Sequence, residues 1–167
     1  MAGGIGSGVT VKALALMQGA GGINDSLTAM AEAAGGAPGL GPAPVQIAAQ
    51  NVGPELVERS TAMKYPAANL YCAKVINDLK EKFRSFSGRV EMAMEIRHSQ
   101  DVLDGMESAL EAYADAAVQA LDATRGDWGN GMFYAGGYQV TFGAVKKGGR
   151  GFLQVARIEF EVGVSRS

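Results

Sequence analysis

Four carboxylates, Asp101, Asp104, Glu107 and Glu111, follow one another at intervals of three or four residues, the spacing that brings side chains to one side of a helix. Such a row could supply acid–base groups or metal ligands. No histidine shares its register, so a solvated face that complements the positive end of a helix is the better reading. His98, the one histidine of the chain, stands between Arg97 and Ser99 and could enter a Ser/His pair. Neither a nucleophile elbow nor a third orienting residue accompanies it, and a structural or surface role is expected. Cys72 falls in a β-rich run, where an inert buried thiol is expected. A single Cys and a single His exclude an internal disulfide, a Cys-based zinc site and a paired-histidine metal site.

Glycine-rich segments invite comparison with anion-binding loops. Gly4-Ile5-Gly6-Ser7-Gly8 has the composition, but no strand precedes it, no Gly-Lys-Ser/Thr ends it, and Lys12 lies outside the required spacing. Gly126-Asp127-Trp128-Gly129-Asn130-Gly131 has too few aspartates for a calcium loop and reads as a structural turn. The expectation is a protein that is not an enzyme, with no catalytic residue, no cofactor and no metal.

What remains is surface for contact. Lys146-Lys147-Gly148-Gly149-Arg150 is the compact basic cluster, either a solvated tip or a group that meets an acidic subunit surface or passing DNA. Trp128, Phe133, Tyr134 and Tyr138 crowd a glycine-interleaved stretch, where aromatics either cap a core or anchor an interface. Over 167 residues, 15 Lys plus Arg stand against 17 Asp plus Glu, a formal charge of −2 that is too balanced for a generic polyanion binder. No window has the length and apolarity of a membrane span, and the first residues lack the pattern of a secretory signal or a myristoyl anchor. Synthesis and folding in a cytoplasm, with no membrane partner, is the expectation.

The elements that would position these residues fall into two parts. Residues 1–65 carry 12 of the 24 glycines and four of the five prolines, and read as a flexible arm with short helices at 9–17 and after Asn24-Asp25-Ser26. A glycine- and proline-rich linker follows at 35–44, then a possible turn of helix at 45–51. Residues 66–167 read as the folded domain. A β-rich run at 69–76 gives a first strand, and Val90, Met92, Met94 and Ile96 alternate with polar residues in a second. A long helix is predicted over 101–124, with Ser99 or Asp101 as its cap. Two further strands, at 138–142 and 156–164, form a hairpin. The predicted class is α+β: a small mixed or antiparallel β-sheet covered on one face by a long α-helix, with a Gly/Pro-rich, partly helical N-terminal arm.

The second part resembles the tail terminator, or tail completion, proteins of long-tailed bacteriophages. The resemblance rests on Tyr65-Pro66 with Leu70-Tyr71-Cys72, on Glu81-Lys82-Phe83-Arg84-Ser85-Phe86-Ser87-Gly88, on Glu95-Ile96-Arg97-His98-Ser99-Gln100-Asp101 and on Arg125-Gly126-Asp127-Trp128. The closing strands, Gly137-Tyr138-Gln139-Val140 and Glu159-Phe160-Glu161-Val162, complete it. It covers about 100 residues and is one of element order and recurring phrases. It implies a virion protein of the tail or neck, assembled in the host cytoplasm, that forms a ring, usually hexameric, on the head-proximal end of the tail tube. Such a ring ends tube polymerisation and offers a docking surface to the head. The implied partners are further copies of the chain, the tail tube protein and a connector or head-closure protein, with non-specific DNA contact in the lumen. Phe83, Arg84, Trp128, Tyr134, Lys146, Lys147 and Arg150 are the candidate interface residues. Another neck component or a tail-tube subunit is the near alternative, and a small nucleotide-binding enzyme the distant one.

Overall fold

The computed structural model describes residues 4–35, 43–53, 64–148 and 151–167. The linker at 36–42, the stretch at 54–63 and the predicted interface residue Arg150 lie outside them. The described residues form helices α1 (Ile5–Gln18), α2 (Ile23–Ala33) and α3 (Met106–Asp122), and strands β1 (Gln46–Ala49), β2 (Ala67–Asn77), β3 (Phe86–Gln100), β4 (Gly126–Gly129), β5 (Met132–Tyr134), β6 (Tyr138–Phe142), β7 (Lys146–Gly148) and β8 (Gly151–Arg166). The class is α+β with a mixed sheet. Its path runs β1-β2-β3-β8-β5-β4, with β6 and β7 also paired to β8. Among the described strands, only the β1–β2 pair is parallel.

The alternation around Val90 sets one face of this sheet. Val90, Met92, Met94 and Ile96 on β3 stand opposite Val162, Phe160, Ile158 and Ala156 on β8, and all eight are buried. On the other side of β3, Ala68, Leu70 and Cys72 of β2 face Ile96, Met94 and Met92. A register shift between Cys72 and Lys74 absorbs one residue and returns Val75 to the position opposite Val90. The bulge therefore keeps β2 apolar on the helix-facing side along its length.

The helices close over this apolar face together. α3 packs on β3, β8 and α2, while α1 packs on β1 and β2. Val9, Ala13 and Met17 of α1 and Ile23 and Leu27 of α2 are buried in the same core as the strand residues. The expectation that residues 1–65 form an arm apart from the body is thus corrected for these helices. Their apolar spacing is spent on the sheet, and polar groups fasten them: Gln18 Nε2 donates to Ile47 O at 2.8 Å, and Asn24 accepts from Val45 N at 2.8 Å and donates to Val45 O at 3.2 Å. Those bonds hold 46–49 extended beside β2, where a turn of helix was expected.

Two further boundaries differ from the sequence reading. The long helix starts at Met106, five residues late, because Gly105 adopts φ +80° and Gln100 Nε2 donates to the carbonyls of Val102 (2.8 Å) and Asp104 (2.7 Å). From the last position of β3 the Gln100 side chain pins a turn, and neither Ser99 nor Asp101 caps the helix. The stretch 126–134 is a hairpin in which Asn130 (φ +52°) and Gly131 (φ +77°) join β4 to β5. An Asn-Gly pair flanked by strand residues is the signal that was there to be read.

Candidate assembly surfaces

The groups with chemical potential are dispersed or engaged in structure. Of the four carboxylates, only Glu107 and Glu111 lie on α3; Asp101 and Asp104 belong to the turn before it, and all four are exposed. His98 packs its ring against Tyr113 with centroids 5.4 Å apart, and its Nε2 lies 2.9 Å from Gln100 Oε1. Because the Gln100 amide nitrogen is donating to two carbonyls, its oxygen is the acceptor and His98 Nε2 carries the proton. His98 thereby braces the turn that starts α3. Cys72 is half-buried, and burial pushes its thiol above the ordinary range against a weaker opposing contact with Lys74 O at 3.8 Å. The reactive thiolate is disfavoured there.

Gly4-Ile5-Gly6-Ser7-Gly8 is the start of α1. A Cβ on Gly6 would stand 2.8 Å from Cys72 Sγ, so this glycine lets helix and strand approach closely. Among the described residues, no group of three or more His, Cys, Asp or Glu could hold a metal ion. No helix among them is long and apolar enough to cross a membrane.

The predicted interface residues divide by burial. Trp128 donates from Nε1 to Thr124 O at 2.8 Å, and its ring lies 5.7 Å from that of Tyr134. Tyr134 is fully buried, meets Phe160 edge-on at 5.8 Å and donates its hydroxyl to Gly137 O at 3.0 Å. Burial is the main reason its phenol is pushed above the usual tyrosine range. These two aromatics cap the core, and their listing as interface residues is corrected on that ground: each has spent both its area and its polar tip inside the fold.

Phe83 is the opposite case. It is wholly exposed, at φ +67°, and Leu79 in the same β2–β3 loop is 58% exposed at φ +49°. Arg84 beside it pairs with Glu81 at 3.0 Å on the surface. A bulky residue in the left-handed region gains nothing from intrinsic preference, so this loop presents apolar side chains to solvent in a conformation fixed by its polar neighbours. Asn77 and Ser87 do the fixing: Asn77 Oδ1 accepts from Leu79 N and Ser87 N, and Ser87 Oγ accepts from Glu81 N. Lys146 and Lys147 lie on β7 and are exposed.

The face of the sheet turned away from the helices is ionic. Arg97 is 1% exposed there, with Glu95 at 2.7 Å and Asn69 at 3.2 Å, while Tyr71 donates to Glu95 at 2.9 Å. Arg157 pairs with Glu159 at 2.7 Å, and Arg89 with Asp78 at 2.7 Å and with Glu161 at 3.3 Å. Alternation predicts an outward polar face, and the burial of Arg97 within it has no signature in the sequence. Among the described strands, β1, β4, β6 and β7 each pair with a single neighbour: β1 with β2, β4 with β5, and β6 and β7 with β8. No protein-family model matches this chain, and no curated protein matches it.

Proposed function

We propose that this chain is a structural virion protein of a tailed bacteriophage, which forms a ring on the head-proximal end of the tail tube, ends tube growth and provides a docking surface for the head or its connector. The observation that carries this reading is the β2–β3 loop. Leu79 and Phe83 are held in solvent by backbone hydrogen bonds that the loop donates to Asn77 and Ser87, an arrangement that costs a free monomer and serves a docked one. The strands β1 and β6, each paired on one side among the described strands, add backbone groups that a neighbouring subunit can meet. The resemblance of residues 66–167 to tail terminator proteins supplies the location. In this reading the sheet, with α3 as its principal helical cover, is the subunit body.

The test is to label the chain in intact particles and image them by electron microscopy. Density for the label at the junction of head and tail is the expected result. Label distributed along the tube would make the chain a tail-tube subunit, and label confined to the portal would make it a connector component.

A further inference from the structure

The two ends of β3 carry surfaces of opposite shape. At its start, the β2–β3 loop raises Phe83 and Leu79 as a knob. At its far end, roughly 45 Å away along a 15-residue strand, the turn before α3 and the β6–β7 connection enclose an open depression of about 1060 Å³. Leu103, Val145 and Phe152 line it, and Leu103 is 56% exposed. Charged side chains flank both surfaces. The knob loop has its own Glu81 paired with Arg84 and Asp78 with Arg89, and Lys80 and Lys82, on either side of Glu81 and next to the apolar tip, form no ion pair with a described residue. One wall of the depression carries Asp104 and Glu107, likewise in no ion pair with a described residue, and the other carries Lys146 and Lys147.

We infer that the Phe83 knob of one copy seats in the Leu103–Phe152 depression of the next, with Lys80 and Lys82 against Asp104 and Glu107. The inference rests on the ring reading above and names its subunit contact. A knob and a socket on different ends of one chain make a head-to-tail contact, the type that closes into a ring when the rotation per subunit allows it and otherwise runs on as a filament. Lys147 on the opposite wall would repel Lys80 and Lys82 in the reversed orientation, which gives the arrangement polarity.

The experiment uses the full chain with Cys72→Ser as background, so that introduced thiols are the sole ones. Sedimentation velocity to about 100 μM is expected to show self-association that Phe83→Ser weakens by roughly tenfold or more. Lys80→Glu with Lys82→Glu is expected to weaken it as well, and Asp104→Lys with Glu107→Lys introduced on the facing wall to restore it. Mixed single-cysteine chains, Lys82→Cys and Asp104→Cys, which leave the apolar anchors in place, are expected to form a crossed disulfide. Circular dichroism checks that each variant is folded, and the charge pair serves if the depression variant is not. Association that survives Phe83→Ser, with no crossed disulfide, overturns the inference while leaving a ring built on other surfaces intact. A chain that stays monomeric throughout also overturns it, whereas the ring reading stands or falls on the label in particles.

Discussion

Phe83 and Tyr134 are both aromatic residues that the sequence offers as interface anchors, Phe83 among charged and serine neighbours and Tyr134 among glycines and other aromatics. In the structure one is wholly exposed and the other fully buried. Residue type does not separate them; hydrogen bonding and register do. Tyr134 sits at the end of a two-residue hairpin whose partner, β5 on β8, points Met132 to the same side as Val164, so the next even position must enter the core. Its hydroxyl then finds Gly137 O. Phe83 follows a strand that has ended, in a loop whose backbone donors are taken by Asn77 and Ser87. With no ladder to set its direction, its side chain is left outside.

The N-terminal helices fall on the Tyr134 side of this comparison, and removing them is the largest perturbation. Deletion of residues 1–35 takes Val9, Ala13, Met17, Ile23 and Leu27 out of the core. Side chains of this kind contribute about 1.5–3 kcal/mol each when fully buried, and the sum for the four larger ones is of the same order as the 5–15 kcal/mol by which a domain is typically stable. The truncated chain is expected to lose its cooperative thermal transition. A sharp transition in the truncated chain would return these helices to the status of an arm.

Tyr134→Ala comes next. Aromatic truncation in a core costs about 3–5 kcal/mol, which for a chain of this length lowers Tm by roughly 6–20 °C. Calorimetry reads it directly. A fall of less than 2 °C would mean that the Trp128–Tyr134–Phe160 contacts are incidental to stability.

The same aromatics make stability sensitive to alkali. Burial raises the phenol pKa of Tyr71, Tyr113 and Tyr134, and in Tyr71 the bond to Glu95 adds to it. The folded state therefore holds these protons more tightly than the unfolded chain. Their contribution is complete below the unfolded tyrosine pKa of about 10 and is lost as pH rises through the higher folded values. Tm is expected to hold up to about pH 9.5 and to fall above it, with Tyr134→Phe less steep than the parent. An equal slope in both would remove Tyr134 from the account.

How much of this was legible before the structure depends on which interaction fixes each residue. The strands of β3 and β8 were readable because alternation at Val90, Met92, Met94 and Ile96, and again from Ala156 to Val164, is a local consequence of a sheet with one buried face. Both N-terminal helices were readable from apolar spacing, but their seat was not, because the bonds of Gln18 and Asn24 reach 29 and 21 residues along the chain. The start of α3 was misplaced because Val102 and Leu103 continue the helical period in sequence, while Gln100 and Gly105 remove them from the helix in space. The site followed the same rule. A solvated position for Lys146 and Lys147 was anticipated from their charge, whereas the burial of Trp128 and Tyr134 depends on a cross-strand register and on acceptors that only the folded chain supplies.

The smallest effect is the most informative about the comparison. Phe83 touches no core, and its substitution by serine removes only solvent-exposed apolar area, so stability should change by less than about 0.5 kcal/mol. The left-handed backbone at this position sharpens the expectation, since a smaller polar residue tolerates φ +67° at least as well as phenylalanine does. Chemical denaturation at low micromolar concentration, where any association is diluted away, measures this cost of the monomer alone. An unchanged midpoint, beside the large fall for Tyr134→Ala, would establish that the two aromatics are put to different uses. A loss above 2 kcal/mol would show that Phe83 is folded against the chain itself, and the knob would then be part of the body it was thought to project from.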